Sequence, residues 1–197
     1  SQIIGRQTHW LQTTEKDDWR LTAEVLEAHC QNNSNQKILI LNYPNNPIGN
    51  SYNKKQLESL AAVARKYRII ILSDEIYGEL NHNGEHISIA QFYPEGTIIT
   101  SGLSKWAGAG GWRFGTAAFP HELKDLQKVV QTIASETYSS TASPIQYAAV
   151  EAYKDNPDLE TYRINARRIL KMIGNYVYQR LHDMNITTPK PEGGFYC

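Results

Sequence analysis

Short apolar runs and longer stretches of helical spacing divide the chain, and their order is informative. Three isoleucine-rich runs, Lys37 to Leu41, Arg68 to Leu72 and Thr97 to Thr100, are of strand length, and turn-forming or polar loops follow the first two. Their near-continuous apolar character predicts strands buried in a parallel sheet. Between the first two, Asn53 can cap a helix in which Leu57, Leu60, Ala61, Ala64 and Tyr67 share one face, while Lys54, Lys55, Glu58 and Lys66 face water. Strand, helix and strand in that order predict a β-α-β unit. The second half is predicted to be mainly helical, over about His121 to Ser135, Pro144 to Lys154 and Leu159 to His182. The final segment, Asn185 to Cys197, has two prolines followed by Gly193, Gly194, Phe195 and Tyr196, and reads as the start of a strand.

Composition narrows the classes of function. The 197 residues can fill one substantial domain, or one domain and part of another. Twenty basic residues balance twenty acidic ones, and no dense Lys/Arg cluster is interleaved with aromatics, so a small specific ligand is expected rather than a nucleic acid. Cys30 and Cys197 have neither metal-ligand spacing nor the pattern of a disulfide framework, which fits a reducing, cytoplasmic setting. Apolar runs such as Ile69 to Leu72 fall far short of the roughly 20 residues of a membrane span. The N-terminus lacks the basic-then-apolar order of a signal peptide.

Candidate chemistry sits at the strand ends. The first strand runs into Asn42-Tyr43-Pro44-Asn45-Asn46-Pro47-Ile48-Gly49, which puts an amide at the carboxyl edge of a parallel sheet, where open α/β folds bind ligands. The second ends in Ser73-Asp74-Glu75-Ile76-Tyr77, so a carboxylate and a phenol leave the same edge. The third leads to Ser101-Gly102-Leu103-Ser104-Lys105-Trp106 and then to Gly108-Ala109-Gly110-Gly111-Trp112-Arg113-Phe114-Gly115. This glycine stretch is no nucleotide loop: Lys105 precedes the glycines instead of following them, and no strand, Gly-x-Gly-x-x-Gly and helix succession occurs. Each feature alone has a plainer account, as an Asn-Pro turn, a capping aspartate or a solvated lysine. The ordered set Asn46, Asp74, Tyr77, Lys105 and Arg113 is far more specific.

From about Trp19 to Tyr196, the motifs Asn-Pro-x-Gly, Asp-x-x-Tyr, Ser-Lys and Gly-x-Arg-x-Gly resemble those of class I and II aminotransferases, of the aspartate aminotransferase type, in the fold-type I superfamily that uses pyridoxal 5'-phosphate (PLP). The resemblance implies an α/β fold: a three-layer α/β/α large domain with a mainly parallel sheet, plus the start of a small α+β domain, incomplete at both ends. Residues 1–154 would belong to the large domain and 155–197 to a connecting helix and the start of the small one. Lys105 resembles the lysine that forms a Schiff base with PLP and later shuttles the substrate proton. Asp74 resembles the carboxylate paired with the pyridinium nitrogen. Asn46 and Tyr77 resemble the donors to the ring hydroxyl oxygen, and Ile76 would pack on one ring face. Arg113 resembles the phosphate-binding arginine, whose planar fork suits phosphate oxygens, with Ser104 adding a hydroxyl.

Two positions depart from the pattern. Gly102 stands three residues before the lysine where many relatives have Ser or Thr, and Ile48 replaces the commoner threonine of the Asn-Pro motif. The loop Tyr138 to Pro144 resembles one that approaches the neighbouring subunit's site, although Ser143 and Pro144 also suit an ordinary helix start. Against the family pattern, the chain begins after the phosphate loop and the ring-stacking aromatic, and ends before the arginine that clamps the substrate carboxylate. Exposed sheet edges and apolar surface are therefore expected. The implied activity is transfer of an amino group between an L-amino acid and a 2-oxo acid, in a cytoplasmic homodimer with no nucleic acid, membrane or metal partner. A PLP-dependent lyase acting at the β or γ carbon, and a non-catalytic sensor on the same fold, are the alternatives.

Overall fold

The computed structural model describes residues 5–33, 35 and 37–197, so the first four residues of the expected large-domain portion lie outside it. In chain order the regular elements are α1 (Ala23–Asn32), β1 (Ile38–Asn42), α2 (Lys54–Lys66), β2 (Ile70–Asp74), β3 (Thr97–Gly102), β4 (Gly115–Ala118), α3 (Lys124–Thr137), α4 (Ser143–Ala152) and α5 (Pro157–Asp183). They form an α/β fold with one sheet in the order β1-β2-β3-β4. The first three strands are parallel and β4 runs antiparallel to β3.

The strands reach further toward the site than the apolar runs alone suggest. Asn42 pairs with Asp74, so the ladder continues into the polar residues, and Asp74 pairs in turn with Thr100. The predicted helix after Pro120 is divided into a single tight turn, His121–Leu123, and α3. The terminal segment is not the strand that its glycines and aromatics suggested. Its one antiparallel bridge joins Gly193 to Asn81. Pro189 and Pro191 offer no backbone donor, and the amides of Glu192 and Gly193 are both spent on the carbonyl of Gly49, at 2.7 and 3.0 Å.

Alternation along β1 explains the position of the main core. Leu39 and Leu41, with Ile71 of β2, pack against α1 and against Leu57, Leu60, Ala61, Val63 and Ala64 of α2. Helix α2 starts in a reciprocal capping box: Asn53 Oδ1 accepts from the Gln56 amide at 3.0 Å and Gln56 Oε1 accepts from the Asn53 amide at 2.9 Å. Tyr67, expected on the apolar face, ends the helix and turns its hydroxyl to Glu27 at 2.8 Å. Leu60 is 1% exposed in this layer. Leu60→Ala is expected to cost about 2–5 kcal/mol, because the removed atoms lose their burial and leave a void; urea unfolding of the two proteins measures it.

The opposite face of β1 is bare, with Ile38 59% and Ile40 70% exposed. Every residue of β4 is exposed as well, as are Val129, Val130 and Ile133 of α3. This is the uncovered apolar surface anticipated from the sequence. A second cluster, of Tyr77, Leu80, Leu103, Trp106 and Ala149 with Ala166 and Leu170, packs α4 and α5 against the loops that follow β2 and β3. It includes two of the predicted site residues, Tyr77 and Ile76. Among the described residues no helix is long and apolar enough to cross a membrane.

Candidate active site

The carboxyl ends of β1, β2 and β3 deliver the predicted residues to one edge, and most of them meet at Tyr77. The ladder positions Asp74 at the last paired residue of β2. Asp74 Oδ1 accepts from the Ile76 amide at 3.3 Å and from Thr100 Oγ1 at 3.5 Å. Among the described residues no lysine, arginine or histidine pairs with this half-buried carboxylate, so it can still take a cation or a protonated ring nitrogen.

Asn46 lies beyond β1 in a turn whose Tyr43–Pro44 and Asn46–Pro47 peptides are both cis. The turn is tied down locally: the Asn46 amide donates to Asn42 Oδ1 at 2.9 Å, and the Gly49 amide to the Asn45 carbonyl at 2.8 Å. The Asn46 side chain is exposed, and its amide acts on the Tyr77 phenol by favouring the ionised form.

Tyr77 is only 3% exposed. Burial pushes its phenol well above the ordinary tyrosine range, Tyr196 and the Asp74 charge push the same way, and the Asn46 amide works against them. The hydroxyl therefore keeps its proton throughout the physiological range and is available as a donor. It now donates to the Tyr196 hydroxyl at a long 3.4 Å.

Lys105 follows β3 in a tight turn, where the Gly108 amide donates to the Lys105 carbonyl at 3.2 Å. Its Nζ lies 5.4 Å from the centre of the Tyr77 ring and 5.6 Å from that of Phe195. Among the described residues no carboxylate pairs with it. Beside it opens a cavity of about 370 Å³, walled by Trp106, Tyr162, Ala166, Leu170 and Phe195. A second hollow of about 410 Å³, around Asp18, Lys55 and Gln56, gathers none of the predicted site residues.

The remaining predicted residues are placed differently. Ile76 packs on the second cluster, and Ser104 is half-buried just before Lys105. Arg113 is exposed, adopts a left-handed backbone (φ 54°) and donates from Nη1 to the Gly110 carbonyl at 2.8 Å. It is not drawn into the Tyr77 group. The departure at Gly102 has a local cause. A Cβ there would lie 2.5 Å from the carbonyl oxygen of Phe114, so a serine or threonine would require the approach to β4 to widen.

Sequence reasoning missed the aromatic pair at the end of the chain. Phe195 and Tyr196 stand edge-on to Tyr77, at 5.5 and 5.8 Å between ring centres. Their segment is held by long-range contacts: His82 bonds the carbonyls of Pro191 and Gly194 at 3.2 and 3.0 Å. Glu192 Oε2 takes the Ser51 amide at 2.7 Å and Arg20 Nη2 at 2.6 Å. The only local signal was the pair of glycines before two aromatics, which marks a close backbone approach and not its destination.

Comparisons with known proteins show the family and the fold. Residues 2–197 match the family model described as aminotransferase class I and II. The chain is 35% identical over 183 residues to a probable N-acetyl-LL-diaminopimelate aminotransferase of Bacillus subtilis, covering 93% of this chain and 44% of that protein. It is 34% identical over 199 residues to an aspartate aminotransferase of Geobacillus stearothermophilus, covering 98% of this chain and 49% of the relative. Among solved structures, an aspartate aminotransferase from Thermus thermophilus with maleate superposes with a TM-score of 0.86 at 28% identity, over 93% of this chain and 47% of that one. The chain thus spans about half the length of the relatives it matches. On the match over nearly its whole length, the chain belongs to the class I and II aminotransferase family.

Proposed function

We propose that the protein is a PLP-dependent aminotransferase that moves an amino group between an L-amino acid and a 2-oxo acid. The observation that supports this most directly is the convergence of an amide, a carboxylate and a primary amine on one buried phenol, Tyr77. That donor set fits the cofactor group by group. A half-buried carboxylate without a cationic partner suits a protonated ring nitrogen, and Asn46 with Tyr77 supplies two donors for a ring oxygen. Lys105 supplies the amine that holds the carbonyl carbon and then carries a proton to and from the substrate carbon. Arg113 and Ser104 are assigned to the phosphate, and Ile76 to one face of the ring. When bound, PLP supplies an electron-withdrawing ring that makes a substrate C–H bond acidic.

In this reading residues 1–154 are part of the cofactor-binding domain and 155–197 lead into a second one, in a cytoplasmic homodimer. The bare faces of β1, β4 and α3 support the need for further covering surface. The test follows the amino group. With PLP, a labelled L-amino acid and a 2-oxo acid, the expected result is label in the new amino acid, and no more than one half-reaction per site once the oxo acid is withheld. Continued release of keto acid without an acceptor would instead identify a lyase, and tight PLP binding with no conversion a sensor.

A further inference from the structure

The carboxylate of Glu75 has no part in the roles assigned above, although it neighbours Asp74. Ser73 and Glu75 face one side of the chain and Asp74 the other. Glu75 is 7% exposed, and four donors converge on it. Oε1 accepts from Ser88 Oγ at 2.6 Å, Ser73 Oγ at 2.9 Å and Tyr43 Oη at 3.4 Å. Oε2 takes His86 Nε2 at 2.7 Å. Burial alone would push this carboxyl up; the bonds from His86 and Ser88 outweigh that and hold it below the usual glutamate range.

The donors come from three separate stretches of chain. Tyr43, fully buried at the end of β1, also accepts the Ile89 amide at 2.7 Å, so its hydroxyl proton is directed to Glu75. Ser73 belongs to β2, and His86 and Ser88 to the segment that leads toward β3. The His86 ring is tilted against Tyr43 at 5.2 Å and reaches the backbone beside Tyr77, since a Cβ on Gly78 would lie 2.9 Å from its Cδ2. Its Nδ1 is buried without a partner among the described residues, so Glu75 provides the hydrogen bond that orients the ring. The backbone around the carboxylate is fixed too: the Glu75 amide donates to the Thr100 carbonyl at 2.9 Å and the Glu75 carbonyl accepts from Gly78 at 2.8 Å.

We propose that Glu75 is a positioning residue for the cofactor site: from behind the sheet edge it fastens the ends of β1 and β2 to the 86–89 segment, and so aims Asn46, Asp74 and Tyr77. The inference rests on the PLP reading and adds a residue that touches neither cofactor nor substrate. Its physical basis is that a carboxylate is acceptor-only and meets four donors here. Glu75→Gln keeps the volume and turns one acceptor into a donor pointing at them. Ser88→Ala is the milder variant, removing the shortest of the four bonds.

The measurements are PLP affinity, the pH midpoint of the PLP absorbance band and the melting temperature. Hydrogen bonds donated to the ring oxygen drain charge from the conjugated system and ease loss of its proton, so misaimed Asn46 and Tyr77 raise the midpoint. Glu75→Gln is expected to raise it by about one pH unit, a tenfold change in proton affinity, and to weaken PLP binding about tenfold. Ser88→Ala should shift both in the same direction by less, and it decides the matter alone if Glu75→Gln does not fold. Ile69→Val, which thins the core elsewhere, should lower the melting temperature and leave the midpoint in place. Wild-type midpoints and affinities in both site variants overturn the proposal, as does an equal midpoint shift in Ile69→Val. A wild-type protein with no borohydride-sensitive PLP band overturns the functional reading along with it.

Discussion

Lys105→Ala is expected to abolish the absorbance band that PLP gives with the wild-type protein and that borohydride removes, and to take amino-group transfer with it. Alanine has no amine to attack the PLP carbonyl, and among the described residues no other lysine occupies the Tyr77 group. The substitution should leave the fold standing. Lys105 makes no ion pair among the described residues, and what it loses is the approach of its Nζ to the Tyr77 and Phe195 rings, at 5.4 and 5.6 Å. Partly exposed contacts of this kind contribute about 0.5–1 kcal/mol, which corresponds to a melting shift of about 1–4 °C at this chain length. The diagnostic result is therefore a missing band in a protein that still melts cooperatively. A variant with an unchanged band would place the covalent attachment elsewhere and sink the assignment.

The distinction between attachment and stability follows from how differently the two were written in the chain. Strands β1 to β3 were legible because parallel strands covered on both faces need apolar residues almost without interruption, as in Ile38 to Leu41 and Ile69 to Leu72; the expected burial holds for one face of β1 only, since Ile38 and Ile40 are exposed. Strand β4, Gly-Thr-Ala-Ala, carries no such pattern: it is an exposed antiparallel edge whose hydrogen bonds to β3 hold it without a buried face. Helix α1 escaped notice for a related reason. It buries only Leu26 and Cys30, so its apolar stripe is thin, and the Thr22 cap is its clearest mark.

Within the site, residues that leave a strand end directly were readable, because topology alone delivers them to the carboxyl edge. Asp74, Tyr77 and Lys105 are of this kind. Phe195 and Tyr196 were not, since they reach Tyr77 from more than a hundred residues away through the bonds of Glu192 and His82. Glu75 was visible only as a neighbour of Asp74; its partner His86 becomes meaningful once the 86–89 segment folds back over Tyr43. Arg113 followed motif spacing, and the structure records it exposed and bonded to Gly110, so its phosphate role remains part of the proposal.

Asp74→Asn carries the second large expectation, because it changes charge at constant shape. The asparagine oxygen can still accept from the Ile76 amide and Thr100, which now bond Oδ1 at 3.3 and 3.5 Å, so β2 and its loop should keep their places. What disappears is the negative charge that would pair with the ring nitrogen. Hydrogen bonds to charged groups contribute about 1.5–3 kcal/mol, so PLP affinity should fall about 10- to 150-fold. Activity should fall further than affinity, since the same charge keeps the ring protonated as it accepts electrons from the substrate carbon. Titration of the apo protein with PLP, followed by absorbance, gives the affinity, and a single-turnover reaction with an L-amino acid at saturating PLP gives the chemical step. Binding within twofold of wild type, with an unaltered single-turnover rate, would show that Asp74 does not face the ring nitrogen.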